Sequence, residues 1–377
     1  MWTVIALIIA SAIAAYLLIG YPLLLAVAKR RRPPPAKDPE FRATVSVILA
    51  VYNGELFLRR KLDSILALHY PRQLLQILVV SDGSTDRTEA IVREYADRGV
   101  QLLVRPHQGK SAALNAAFSQ ATGELLFFTD VRQTLHPDGL SHLVANMADP
   151  SVGAVTGEMQ LGGGDLGEQR DMSLYWRYEL WARRRHSEID SLFNTTGCIY
   201  LLRRSQAHEL PPDTLTDDAV LPLGAFFNGY RVIFDPQAVA YDEPAIAGTE
   251  FRRRWRTLAG LWQVHVRTRA LFTSANRMRW HFLSHKFGRL ILPWAMLGVL
   301  GSTLALPDPV WRRDLLYSEA AFLALALLDI LAPRGFPLKR LTSSARTFLL
   351  MNAAALAAIA VFVIPAQRLW KPTRVRS

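Results

Sequence analysis

The first 28 residues, Met1–Ala28, carry no charged side chain, and that run constrains the chain more than any other feature. About 20 consecutive apolar residues suffice to cross a bilayer as a helix, a form in which the backbone satisfies its own hydrogen bonds in hydrocarbon. The charges follow the run, as Lys29-Arg30-Arg31-Arg32, and no short apolar core with a small-residue cleavage site stands out. The expectation is therefore an uncleaved anchor and not a signal peptide. Uncharged sequence returns at Leu290–Pro307 and at Thr347–Gln367. Between them Ala320–Pro333 is a weaker candidate, because Asp329 interrupts it and Glu319 precedes it. The middle of the chain reads as one water-soluble domain inserted between membrane segments.

Lys and Arg outnumber Asp and Glu by 44 to 32. That excess alone would fit a nucleic-acid binder, but its placement argues for membrane lipids and against nucleic acid. The basic cluster directly after the first apolar run marks that side as cytoplasmic by the positive-inside rule. From Phe251 to Arg289 there are ten Lys or Arg and no acid, interleaved with Trp255, Trp262, Trp280, Phe282 and Phe287. Such a stretch suits helices lying on an anionic membrane surface. A single cysteine, Cys198, excludes an intramolecular disulfide and fits a reducing compartment.

Past the stiff Pro33-Pro34-Pro35 linker, the apolar run Ala43–Val51 reads as a buried strand and Leu56–Leu68 as an amphipathic helix. Leu75–Val80 is a second strand, ending at Ser81-Asp82-Gly83, with Thr88–Ala96 helical after it; Gly99–Val104 and Glu124–Thr129 are further strands. Strands alternating with helices predict an α/β domain with a mainly parallel sheet. Ligands of such sheets bind beyond the carboxyl ends of the strands. Asn53, Glu55, Asp82 and Asp130 all fall at those ends. No GxGxxG follows the first strand and no GxxxxGK[ST] occurs, which weakens dehydrogenase and NTPase readings.

These residues, in this order, resemble the inverting glycosyltransferases of family 2, which have a GT-A fold. Val45–Glu55 resembles the opening strand and its Tyr-Asn-Glu turn, here Tyr52-Asn53-Gly54-Glu55. Val79–Asp86 is similar to the Asp-Asp-Gly-Ser strand end, with Ser81 in place of the first Asp. Gln108–Asn115 resembles the Gly-Lys segment before a helix, Asp130-Val131-Arg132 stands where a DxD motif is expected, and Thr216-Asp217-Asp218 resembles the Thr-Glu-Asp motif, followed by Gly229–Val232.

The resemblance implies a membrane-bound GT-A domain that moves a sugar, with inversion, from a nucleotide diphosphate donor, UDP-linked by expectation, to a glycan or lipid-linked acceptor. Asp218 is its implied general base. Tyr52, Asn53, Glu55, Asp82, Lys110, Asp130, Arg132, Trp255 and Arg256 are implied donor-binding residues, with Glu55 and Asp82 at the base and ribose. Capping of the following helix is the structural alternative for one of Thr216, Asp217 and Asp218, Asp217 first among them. The resemblance also implies a divalent metal, Mg²⁺ or Mn²⁺, on Asp130. Arg132 cannot ligate a hard cation, so either Asp130 holds the ion with other ligands or Arg132 takes over part of the phosphate neutralisation. Processive members carry Gln-x-x-Arg-Trp; here Phe251–Gly260 aligns through Trp255 or through Arg256 and Gly260, and neither alignment supplies the Gln.

The expected organisation is an anchor at 1–28, a basic Pro-rich linker at 29–42, the GT-A domain at 43–250, an interfacial segment at 251–289, a membrane region at 290–367 and a basic tail at 368–377. The expected location is a multi-pass protein of the plasma (inner) membrane with its catalytic domain cytoplasmic. Two rivals remain: a sugar-phosphate nucleotidyltransferase, and a catalytically degenerate subunit of a polysaccharide export or polymerising complex.

Overall fold

The computed structural model describes residues 1–162, 174–243, 250–333 and 336–364; the basic tail 368–377 lies outside them. Eight strands, β1 (Val45–Val51), β2 (Leu75–Asp82), β3 (Val100–Arg105), β4 (Leu125–Phe128), β5 (Thr134–Leu135), β6 (Val152–Leu161), β7 (Tyr200–Arg203) and β8 (Arg231–Asp242), form one sheet. Its order is β3-β2-β1-β4-β7-β6-β8-β5. The half made of β3, β2, β1 and β4 is parallel throughout. Beyond it the sheet is mixed: β7 runs antiparallel to both β4 and β6, β8 is parallel to β6, and β5 is antiparallel to β8.

Why the first strands are apolar on both faces follows from the period of two along a strand. Val45, Val47, Leu49 and Val51 point into one buried cluster with Ile77, Val79 and Phe127. Ile48 points into the other with Leu78, Val80, Leu126 and Phe128. Helix Glu55–Leu66 covers the first cluster with Leu58, Leu62 and Ile65, and Lys61 lies on the same stripe.

Among the described residues, three helices are long and apolar enough to cross a membrane: Trp2–Val27, Arg279–Leu304 and Lys339–Phe362. The first is exposed along most of its length but fully buries Tyr21 and Leu25 near its end, in the cluster that also holds Ile48 and Leu78 of the sheet. The two later helices begin before the uncharged runs at Leu290 and Thr347, because the protein itself matches their charges. Lys286 and Arg289 pair with the buried Glu179, and Lys339 and Arg346 pair with the buried Asp329 on helix Pro309–Leu331. The basic stretch 251–289 is consequently not one segment. It divides into helix Glu250–Arg267, a 3₁₀ turn at Arg269–Phe272 and the start of Arg279–Leu304.

Candidate active site

Parallel pairing brings the carboxyl ends of β1, β2 and β4 to one edge of the sheet. The turn after β1 is held by the turn after β2. Asn53 adopts a left-handed backbone, φ 50°, donates its N–H to Ser84 Oγ (3.1 Å) and accepts from Thr85 N–H through Oδ1 (2.8 Å). Glu55 accepts from Arg87 N–H (2.8 Å) and donates its own N–H to Asp86 Oδ2 (3.0 Å). These two side chains, expected at the donor, here join two turns.

Asp82 is buried, and its carboxylate accepts from the N–H groups of Gln108 (2.8 Å) and Gly109 (2.9 Å). A carboxylate taken out of water needs such donors. In this structure Asp82 anchors the loop that launches helix Lys110–Gln120. Gly109 caps that helix at φ 93°, a region that disfavours any side chain. The same loop stacks His107 on Tyr52, ring centroids 4.1 Å apart and planes 22° apart.

Lys110 is no solvated lysine. Its Nζ lies 3.0 Å from Asp130 Oδ1 and 3.1 Å from Asp217 Oδ1. Asp217 and Asp218 form the first turn of helix Asp217–Phe227, where the helix dipole favours acids. Thr216 is the N-cap and makes no side-chain capping bond, so capping does not explain the motif. The Asp218 carbonyl accepts from Thr195 N–H (2.8 Å) and Thr195 Oγ1 (2.9 Å). Its carboxyl has no hydrogen-bond partner among the described residues. A β-carbon placed on Gly197 would lie 3.5 Å from Asp218 Oδ2 and 3.7 Å from Asp130 Oδ2, so both carboxylates border one point beside Gly197.

Their environments separate them. Burial and the neighbouring Asp217 charge raise the Asp218 carboxyl to about 7, against the opposing Lys110 and Arg183 charges. Burial also acts to raise Asp130, but Lys110, Lys61 and Arg256 together hold it below the ordinary carboxylate range. Paired carboxyls pushed apart in this way can take different roles, one a proton acceptor near neutral pH and the other a fixed charge.

Several cations define the rest. Arg132, expected to meet phosphate, donates to Asp242 Oδ2 at 2.5 Å, and Asp242 is fully buried. That buried carboxylate claims the guanidinium, which turns it from the strand tip. Arg256 acts electrostatically on Asp130, Asp218 and Asp217. Trp255 faces the other way and donates its Nε1–H to Ala357 O (2.8 Å). Helix Glu250–Arg267 can press this closely because residue 260 is glycine: a β-carbon there would meet Thr216 Cγ2 at 2.5 Å. Lys61 was not singled out by the sequence reading. Fully buried, it donates from Nζ to Thr129 Oγ1 (2.5 Å) and Gln133 O (2.7 Å), the residues that bracket the Asp130 loop. Burial lowers its ammonium to about 7, with Cys198 and Asp130 opposing. Arg59-Arg60-Lys61 looks like a solvated run; the spacing of Lys61 from Leu58 and Ile65 was the available signal.

Among the described residues no three His, Cys, Asp or Glu side chains converge on a metal-sized point. Mg²⁺ bound with a nucleotide needs only one or two carboxylates, the phosphates supplying other ligands. Asp130, with one oxygen on Lys110 and the other toward Gly197, fits that single-carboxylate part.

Residues 46–210 match the family model described as Glycosyl transferase family 2. A probable glycosyltransferase of Bacillus subtilis, YdaM, is 27% identical over 62% of this chain and 59% of its own length. The poly-beta-1,6-N-acetyl-D-glucosamine synthase of Staphylococcus aureus is 24% identical over 59% of this chain and 53% of its own length. The match thus spans little more than half of these curated relatives. Among solved structures, the mannosyltransferase PcManGT from Pyrobaculum calidifontis, in complex with GDP-Man and Mn²⁺, superposes with a TM-score of 0.74 at 25% identity, covering 95% of this chain and 99% of that one.

Proposed function

We propose, from the premise that this chain carries a glycosyltransferase family 2 domain of GT-A fold, that it is a membrane-bound inverting transferase with Asp218 as general base. The observation that carries the reading is the separation of the two carboxyls that face Gly197: Asp218, unpartnered and raised to about 7, beside Asp130, held ionised by cations. An acceptor hydroxyl hydrogen-bonded to Asp218 loses its proton there as it attacks the anomeric carbon. The bond from that carbon to the diphosphate breaks on the opposite side, which inverts the centre.

The departing nucleoside diphosphate needs positive charge. Lys110 and Arg256 supply it from the protein, and a donor phosphate drawing Lys110 away frees Asp130 for its other function. A divalent ion seated on Asp130, as Mn²⁺ accompanies the Pyrobaculum enzyme, would add charge neutralisation at the same place. The Tyr52–His107 stack offers an aromatic platform for the nucleobase at the edge where doubly wound sheets bind nucleotides. The soluble domain faces the cytoplasm in this reading, since Lys29–Arg32 follows the first apolar helix.

Purified full-length protein, incubated with UDP- and GDP-linked sugars and membranes as acceptor source, is expected to release nucleoside diphosphate. Failure of every donor tried to release diphosphate, from a folded protein that binds nucleotide, would favour a non-catalytic subunit, for which the Arg132–Asp242 pair in place of a second motif carboxylate is the supporting observation.

A further inference from the structure

Lys61 occupies a position that packing alone would give to leucine. It lies on the stripe of helix Glu55–Leu66 that buries Leu58, Leu62 and Ile65, and its own side chain is fully buried. A lysine taken out of water costs free energy unless its nitrogen finds acceptors. Among the described residues Nζ forms no salt bridge; its partners are two neutral oxygens, Thr129 Oγ1 and Gln133 O (2.7 Å). Nζ can donate to both whether it carries three protons or two.

Those two oxygens stand on either side of Asp130. Strand β4 ends at Phe128 and β5 begins at Thr134, so Thr129–Gln133 is the whole connection between them. Lys61 therefore holds both ends of the loop that carries Asp130. The Thr129 hydroxyl has a single hydrogen, and with Nζ donating to its oxygen that hydrogen goes to Cys198 O (2.8 Å). Cys198 follows Gly197, the point that Asp130 and Asp218 both border. One buried nitrogen thus reaches, through one hydroxyl, both the Asp130 loop and the segment between the two carboxyls. Its charge also acts on Asp130. Lys110 can turn to a donor phosphate, whereas Lys61, closed in on all sides, stays.

We propose that Lys61 is a positioning residue for the transfer: through Thr129 and Gln133 it fixes Asp130 against the Gly197 segment, and with it the place of the donor diphosphate. The proposal rests on the transferase reading above and adds a residue to that site. A short connection outside the sheet ladder is free to shift, and a misplacement of about 1 Å can cost about 10²-fold in rate. Bonds from one nitrogen to both of its ends remove that freedom.

The test uses the full chain in detergent, with whichever UDP- or GDP-linked sugar the wild type turns over, and compares Lys61→Met, Thr129→Val and Thr129→Ser. Methionine fills the lysine's space without a donor, valine keeps the threonine's shape without the hydroxyl, and serine keeps the hydroxyl. Turnover is read as diphosphate release per folded molecule. Calorimetry gives the affinity for the nucleoside diphosphate and for the monophosphate of the same base, each with Mn²⁺. In Lys61→Met and Thr129→Val, kcat should fall about tenfold or more, and diphosphate affinity should fall while monophosphate affinity holds. Thr129→Ser should keep kcat within about threefold of wild type. Should Lys61→Met fail to fold, Thr129→Val against Thr129→Ser decides alone. Lowered melting temperatures with kcat and both affinities within about twofold of wild type would make Lys61 a packing lysine and overturn the proposal. Equal loss in Thr129→Ser and Thr129→Val would overturn it too. A wild type that binds neither nucleotide and turns over no donor would instead retire the transferase reading beneath it.

Discussion

Replacing Asp218 by Asn is the sharpest perturbation the structure offers, because activity and stability should move in opposite directions. The amide matches the carboxyl in size, and the contact that builds the motif, Asp218 carbonyl to Thr195, is main-chain on the Asp218 side and survives. What is lost is the ability to take a proton. Loss of a general base typically costs about 10²–10⁴ in rate, or roughly 3–5 kcal/mol of barrier.

Stability should not fall with it. A carboxyl raised from near 4 to about 7 by burial and by Asp217 costs on the order of 4 kcal/mol to ionise in place, at about 1.4 kcal/mol per tenfold. Partial exposure to solvent reduces that to about 2–4 kcal/mol. Between about pH 4 and 7 the native state binds a proton there that the unfolded chain has released, so this group makes the fold less stable as pH rises through that window. The Asn variant lacks that slope and should melt at or above the wild-type temperature at pH 8. In wild type, kcat/KM should rise tenfold per pH unit below about 7 and level off above it, since the ionised form is the base. Donor affinity by calorimetry, turnover by diphosphate release and melting in detergent are the three readings. Near-normal turnover, or a variant that keeps the limb near pH 7, would refute the assignment.

Asp130→Ala should abolish donor binding or turnover, whereas Arg132→Ala, which strips buried Asp242 of its cation, should lower the melting temperature and leave diphosphate affinity near wild type; full activity of wild type in excess chelator would remove the ion from the scheme. Gly260→Val should push helix Glu250–Arg267 off Thr216, where a β-carbon already meets Cγ2 at 2.5 Å, and cut turnover at least tenfold, as read by diphosphate release. Arg256→Gln should raise the donor KM several-fold, whereas Trp255→Phe, which loses only the bond to Ala357 O, should leave the KM near wild type. With Cys198 replaced, a single cysteine at the exposed Asp97 should resist a membrane-impermeant reagent added to intact cells. Asp165, a second probe position, lies outside the described residues. Labelling of either would reverse the proposed orientation.

Strand identity along β1, β2 and β4 was written in local pattern, because parallel strands covered on both faces are mostly apolar, and their carboxyl ends are where Asn53, Asp82 and Asp130 had to fall. The uncharged runs declared the membrane-length helices for the same kind of reason, a length matched to a bilayer. Pattern could not say which charges answer which. Arg132 looked like a phosphate ligand until a carboxylate 110 residues away, Asp242, claimed it. No motif marked Lys61, and only the packed helix places it under the Asp130 loop. Trp255 and Arg256, adjacent in sequence, project about 100° apart around one helix, one to Ala357 and one toward the acids. Glu55 and Asp82 carry the right chemistry for a ligand and also hold neighbouring backbone. Local sequence fixes what a segment can form and which chemistry it carries. The partner of a buried charge, and with it the pKa and direction of each side chain, depends on residues that only the packed chain brings within a few ångströms.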